Sequence, residues 1–338
     1  MSTEMTSVST PATGRVGTGP SRVWSRLAGG LSAWVVEGLF LLVVLIGFIA
    51  SPQFLTTFNV DSLLHQAAIL GVLAVGQYLV IISGGFDLSV GAVVALTGMV
   101  SAKSVSEMGL VSLPLAVAAG GMMGLLSGLA VTFGRIPPFV ATLGVLGIAR
   151  GLAFTVGNQG VIITDQTILN INEASVGPIP LVAIIWLIVI ALVFAFLRLT
   201  RTGTYFFAIG GNADSARLAG VPVARIRIIA YVLSGCLAGL AGVLFAARSG
   251  SGSPGIAGGW ELDSIAAVVI GGVSLFGGSG SLLRAMLGTL IYLMLTNIMN
   301  LANVDAYVQN VLKGVLILAA VTIPALVQRR RSIGRTSS

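Results

Sequence analysis

From about residue 33 to residue 327, apolar runs near twenty residues long follow one another, separated by short polar or glycine-rich connectors. About 20 residues of helix cross the roughly 30 Å hydrocarbon core of a bilayer. In lipid every backbone polar group must be satisfied within the protein, which leaves helices and closed barrels. Uninterrupted apolar runs of this length suit helices. Charged residues make up 9% of the 338, against roughly 25% in soluble domains, too few to coat a water-facing surface. The expected fold is all-α, a polytopic transmembrane helical bundle of about ten spans.

The spans are read near 33–50, 62–83, 89–103, 110–133, 139–157, 179–198, 228–248, 263–277, 285–303 and 308–327. The third and eighth are short and flanked by glycine. A signal peptide is the rival reading of the first run, but the run is long for one and lacks a small-x-small cleavage site. Glu37, near its start, can snorkel to the interface. Residues 1–30, rich in Ser, Thr, Gly and Pro, read as a disordered cytoplasmic tail. Residues 31–328 form the transmembrane domain, and 329–338 a basic cytoplasmic tail.

A net charge of +7 does not point to nucleic acid here, because the cations have a topological distribution. With ten spans and the N-terminus inside, fourteen of the arginines fall in cytoplasmic segments, from Arg15 to Arg335, while Lys103 and Arg248 lie outside. That is the positive-inside bias. Asp61, Glu107, Asp165, Glu173, Glu261, Asp263 and Asp305 fall outside or at the outer boundary. Arg150 and Lys313 lie within spans, facing the bundle interior or snorkelling. One cysteine, Cys236, and one histidine, His65, nearly exclude a His/Cys metal site. Glycines four apart (Gly120, Gly124 and Gly128, Gly147 and Gly151, Gly235 and Gly239) predict close helix contacts.

Three segments carry more than span or loop composition. Gly84–Gly91 (GGFDLSVG) breaks the helix, and Asp87 or Ser89 can cap the next one. Its readings are a polar re-entry turn or a conformational joint on a translocation path, with Gly85, Asp87, Ser89 and Gly91 as its residues. Within the loop Arg198–Arg227, Asn212 is a good N-cap, Asp214 sits where the helix dipole favours an anion, and Arg217 follows near the last turn. Gly220 suits the C′ position and Pro222 stops the helix. This predicts a short capped helix outside the membrane, either a plain surface helix or one that docks a cytoplasmic protein. Glu261–Ser281 begins with two acids and contains Gly271 and Gly272, which permit non-helical backbone. Such backbone survives at membrane depth only where protein or a water-filled path covers it.

Neither lysine completes a G-x-x-x-x-G-K-[ST] loop, so the chain is not its own ATPase. No convergent catalytic set points to an enzyme, and no paired intramembrane carboxylates point to a proton relay. Gly85–Gly91 (GFDLSVG), Phe139–Gly144 (FVATLG), Arg201–Val221 (RTGTYFFAIGGNADSARLAGV) and Glu261–Gly272 (ELDSIAAVVIGG) resemble hallmark strings of one family. It is the permease family of ribose-, xylose- and arabinose-type ABC importers, more distantly related to branched-chain amino-acid permeases. The resemblance covers about 50–325.

It implies a homodimer in the bacterial inner membrane, a separate cytoplasmic ATP-binding subunit that uses ATP and Mg, and an extracytoplasmic solute-binding protein. It implies no cofactor on this chain, a small sugar as cargo, and alternation between outward- and inward-open states. It also makes Asn212–Val221 the coupling helix, with Asn212, Asp214, Ala216, Arg217, Leu218 and Gly220 as the residues that meet the ATPase. Gly271 and Gly272 join the path residues. Another polar solute on the same machinery, or an ion-coupled carrier or channel, is the alternative.

Overall fold

Thr56 opens the longest early helix by accepting a hydrogen bond from the backbone N–H of Asn59, so the helix begins at Thr57 rather than near residue 62. It is α2 (Thr57–Ile82), buried almost without a break from His65 to Ile82. A helix apolar all round and covered all round belongs at the centre of a bundle. The computed structural model describes residues 34–316, 318–319 and 322, and its other helices include α1 (Val35–Ala50), α3 (Val90–Met108), α4 (Ser112–Thr132), α5 (Pro138–Val156), α6 (Gln166–Glu173) and α7 (Leu181–Leu199). The chain continues through α8 (Arg201–Gly211), α9 (Ala213–Leu218), α10 (Val223–Ser249), α11 (Trp260–Ile270) and α12 (Leu282–Leu301). Helix resumes over 306–316.

Among the described residues, six helical stretches are long and apolar enough to cross a membrane: 57–82, 90–132, 138–156, 181–199, 223–249 and 282–301. The second comprises α3 and α4, separated by a 3-10 turn at Gly109–Val111. Gly109 takes φ +52 there, and α4 packs back along α3, so this stretch crosses twice. The apolar α1, at 16 residues, is shorter. Its Leu41, Leu45, Phe48 and Ile49 are exposed, as lipid contact requires. Two-residue strands β1 (Val161–Ile162) and β4 (Ser251–Gly252) pair antiparallel, as do β2 (Ser175–Val176) and β3 (Ile179–Pro180).

The expected eighth span, 263–277, is corrected. Its helix, α11, has eleven residues, about 16 Å at 1.5 Å per residue, and 271–281 are turns and coil. The expected 201–211 loop is also helical, as α8. The helix of the third span runs to Met108, past Lys103, whose Nζ donates to the Val156 carbonyl at 2.9 Å. Glu37 does not merely snorkel; it pairs with Arg284 Nε at 2.9 Å. The expected tenth span, 308–327, and both tails lie wholly or partly outside the described residues.

The glycine pattern holds on two of three helices. A Cβ on Gly120 would sit 2.9 Å from Gly239 Cα, and one on Gly235 would sit 2.9 Å from Gly124 Cα. Thus α4 and α10 touch backbone to backbone, the geometry that small-xxx-small spacing permits. Gly147 and Gly151 have nothing within 4 Å of an added Cβ. Spacing alone cannot say which side of α5 faces a neighbour, and this side faces away.

Candidate translocation and coupling site

Between α10 and α12 the chain crosses the bundle without a continuous helix. Gly250, at φ +64, ends α10. A Cβ on Gly252 would then lie 3.0 Å from Met99 Cα, midway along α3. Five residues on, the Ala257 carbonyl lies against Gly91 at the start of α3. From Gly259 the half-helix α11 completes the passage. Carbonyls in such a segment lack helical partners. Arg150, on α5, supplies them: its Nη1 donates to Pro254 O and Ile256 O, each at 2.7 Å. An intramembrane arginine that looked costly in sequence thus satisfies backbone that is irregular at depth.

The two acids of α11 are both engaged within the protein. Glu261 is turned into the protein against Gly91, its Oε1 accepting from Gly259 N at 3.2 Å. Its Oε2 is buried and has no hydrogen-bond partner. Asp263 accepts a hydrogen bond from the Tyr292 hydroxyl on α12. The GFDLSVG and ELDSIAAVVIGG strings therefore meet in space, Gly91 to Glu261.

Asp87 is fully buried, at 1% exposure, in the Gly84–Ser89 connector between α2 and α3. Its Oδ1 accepts from Ser89 N at 3.0 Å and Ser89 Oγ at 2.6 Å. Its Oδ2 accepts from Ser234 Oγ of α10 at 3.0 Å. Ser89 is the N-cap residue but has helical backbone angles, φ -84 and ψ -15, and makes no side-chain capping bond; its hydroxyl donates to Asp87 instead. Tyr231 of α10 donates to Phe86 O at 3.2 Å. A Cβ on Gly85 would meet that Tyr231 hydroxyl at 2.6 Å. The connector is tied to α10 at two points.

Three chain segments converge at the end of α2. Gly278 N donates to Ile82 O at 3.0 Å. A Cβ on Gly277 would lie 2.9 Å from Gly84 Cα and 3.0 Å from Gly210 Cα. Gly277 and Gly278 take φ +84 and +71, a region side chains disfavour. Glycine is needed twice over, for conformation and for approach. Gly271 and Gly272, expected on the path, have these local settings. Gly271 caps α11 and packs on the α12 backbone at Ala285, and Gly272, at φ +80, turns the chain away.

Two residues beyond Gly210, Asn212 caps α9, its Oδ1 accepting from Ser215 N at 2.8 Å. At the other end Val221 N donates to Ala216 O and Gly220 N to Arg217 O, both at 3.0 Å. With Gly220 at φ +81, this is a Schellman stop. Asp214 and Arg217 form an exposed ion pair at 3.7 Å. Leu218 is 91% exposed, while Ala216 is buried at 6%. Ala216 is turned inward and seats the helix. Among the described residues, no group of three or more His, Cys, Asp and Glu could hold a metal ion.

The family model for the branched-chain amino acid transport system permease component matches residues 59–321. The chain belongs to the ABC importer permease family. It is 39% identical over 305 residues to the ribose import permease protein RbsC of Escherichia coli K12, covering 86% of this chain and 94% of that protein. It is 34% identical over 296 residues to the D-allose transport system permease protein AlsC of the same strain, covering 86% and 90%. Against the L-arabinose ABC transporter permease protein AraH of Azospirillum brasilense the identity is 35% over 306 residues, covering 88% and 90%. No solved structure matches the chain.

The permease is a multi-pass transport subunit rather than an enzyme, and its family works with an ATPase and a binding protein. Its sequence announced the three motifs but not their meeting at Gly84, Gly210 and Gly277, since no local signal marks a contact between segments so far apart. Asp87 offers a test. In Asp87→Asn the amide retains one carbonyl acceptor and loses the second, while its charge goes. Uptake should fall roughly tenfold, the scale of one buried charge-assisted hydrogen bond, with membrane abundance within about twofold. Unchanged uptake would reduce Asp87 to a turn residue.

Proposed function

We propose that the permease translocates a small sugar, a ribose-like monosaccharide, across a bacterial inner membrane by alternating access powered by a separate ATPase. A homodimer carries two copies of α9 on the cytoplasmic face, each docking one ATP-binding subunit. An extracytoplasmic binding protein delivers the sugar on the opposite side. Both termini are cytoplasmic on this reading, which the arginine distribution supports.

One observation carries the proposal. The capped, exposed α9 begins three residues beyond Gly210, which abuts both the Asp87 connector and the loop after the half-helix α11. A partner that shifts α9 acts at once on both non-helical elements of the crossing. Ligand and nucleotide can bias a two-state element only by binding its states differently, and a junction shared by these segments provides such an element. The sugar comes from the names of the relatives, ribose, allose and arabinose. The family model's own description supports a branched-chain amino acid as the second reading.

Reconstitution decides between them. Proteoliposomes holding the permease, its ATPase and its binding protein should accumulate labelled ribose, allose or arabinose only with internal ATP. Leucine uptake instead would favour the second reading. Sugar uptake by permease alone would overturn the ATP-driven mechanism.

A further inference from the structure

A cavity of about 420 Å³ lies at the N-terminal end of α11, away from the glycine junction. Five elements supply its walls, among them Gln66 of α2, Arg248 of α10, Trp260 and Asp263 of α11, Tyr292 of α12, and Lys313 beyond it. Its volume falls within the range of roughly 300–1,000 Å³ typical of small-molecule sites. It also combines an aromatic platform with convergent polar groups, which lipid-facing crevices lack.

The platform is fixed. Trp260 meets Phe245 edge to face, with ring centroids 5.3 Å apart and planes at 81°. The polar groups are fixed as well. The Tyr292 hydroxyl holds Asp263 at Oδ1, leaving Oδ2 as an acceptor. Arg248 Nη2 donates to Ser62 Oγ at 3.3 Å, and Gln66 Nε2 donates to the same oxygen at 3.3 Å. The remaining guanidinium N–H groups and the amide oxygen are then oriented by a shared anchor. A sugar ring needs this combination. Its C–H face carries the partial positive edge that an aromatic face attracts, and adjacent hydroxyls each need a donor and an acceptor.

We propose that this cavity is the permease's own monosaccharide-binding site, occupied between release by the binding protein and exit to the cytoplasm. The ring stacks on Trp260, and neighbouring hydroxyls bridge Asp263 Oδ2 and the Arg248 guanidinium. The inference rests on the sugar-importer reading above. It adds a linkage, because Trp260 and Asp263 ride on the half-helix whose far end leads into the junction at Gly277. Sugar in the cavity and ATPase on α9 thus act on the two ends of one short element.

The test uses the full complex in proteoliposomes, with ribose, allose and arabinose as probes, and Asp263→Asn, Trp260→Ala and Trp260→Phe as variants. Asp263→Asn and Trp260→Ala should each lower sugar uptake at saturating loaded binding protein by about tenfold or more, the scale of a lost buried hydrogen bond or aromatic contact. Trp260→Phe, which keeps a ring face, should recover most of the uptake lost in Trp260→Ala. ATPase co-purification and gel-filtration profile report folding and should match wild type. If a variant misfolds, ligand-detected NMR of wild-type permease alone in nanodiscs decides, with saturation transfer to the sugar expected at millimolar concentration. Absent transfer would overturn the site. Folded variants with normal sugar uptake would overturn the site while leaving the importer reading intact. A wild-type complex that carries leucine and no sugar would overturn both.

Discussion

Leu218→Glu should abolish ATP-driven uptake while leaving the permease folded in the membrane. Leu218 is 91% exposed on the last turn of α9, so the bundle gains nothing from its being apolar. Burying a leucine against a partner contributes about 1.5–3 kcal/mol, on the order of 10- to 100-fold in affinity. A carboxylate in the same pocket adds a desolvation cost. Arg217→Glu is the companion change, placing a second acid beside Asp214. The exposed pair it breaks is worth roughly 0–1 kcal/mol, so any larger effect is interfacial. Both variants should lose ATPase co-purification and uptake together, normalised to permease in the membrane. Normal values for both in the double variant would remove α9 from the coupling path. Ala216 is not the place for this test: it is buried, and bulk there would unseat the helix itself.

Gly210→Ala should nearly eliminate transport, and Gly211→Ala should not. A single methyl on Gly210 would collide with the Ile82 carbonyl and the Gly278 backbone, with Ile82 C at 2.9 Å, whereas a methyl on Gly211 meets nothing within 4 Å. Overpacking costs about 1–3 kcal/mol where side chains can move aside. Here the obstacle is backbone, so relief requires the junction to open. Alanine also favours helix over glycine by roughly 1 kcal/mol, so helix propensity cannot explain a loss in one variant and not in its neighbour. Uptake in Gly210→Ala should fall by at least about tenfold with α9 still able to hold the ATPase. Equal behaviour of the two variants would mean that the contact at Gly84, Gly210 and Gly277 does not govern the cycle.

Much of this was readable in one dimension because it is decided locally. Apolar run length decides which segments cross, since water and hydrocarbon act on each segment separately. The caps of α9 were legible from Asn212 to Pro222 because a helix end is satisfied by residues within a few positions of it. The contact of α4 with α10 was half legible. Glycine spacing revealed a face able to approach closely, and only packing showed that Gly120 and Gly124 use theirs while Gly147 and Gly151 do not.

What the chain does at depth needed three dimensions. The sequence placed an arginine in the fifth span and an apolar run at 263–277; neither indicated the other. Arg150 is affordable there because Pro254 and Ile256 lack helical partners, and their carbonyls can remain unpaired by helix because Arg150 reaches them. Asp87 likewise serves more than a local turn, since Ser234, 147 positions away, donates to its second carboxylate oxygen. By itself the sequence determined that the chain is a bundle of membrane helices and where one short helix starts and stops, each a matter of neighbours along the chain. The tertiary structure alone decided that the crossing through α11 is discontinuous and that Gly84, Gly210 and Gly277 meet. A buried polar group is satisfied by whatever lies nearest in space, and in a bundle that is seldom what lies nearest in sequence.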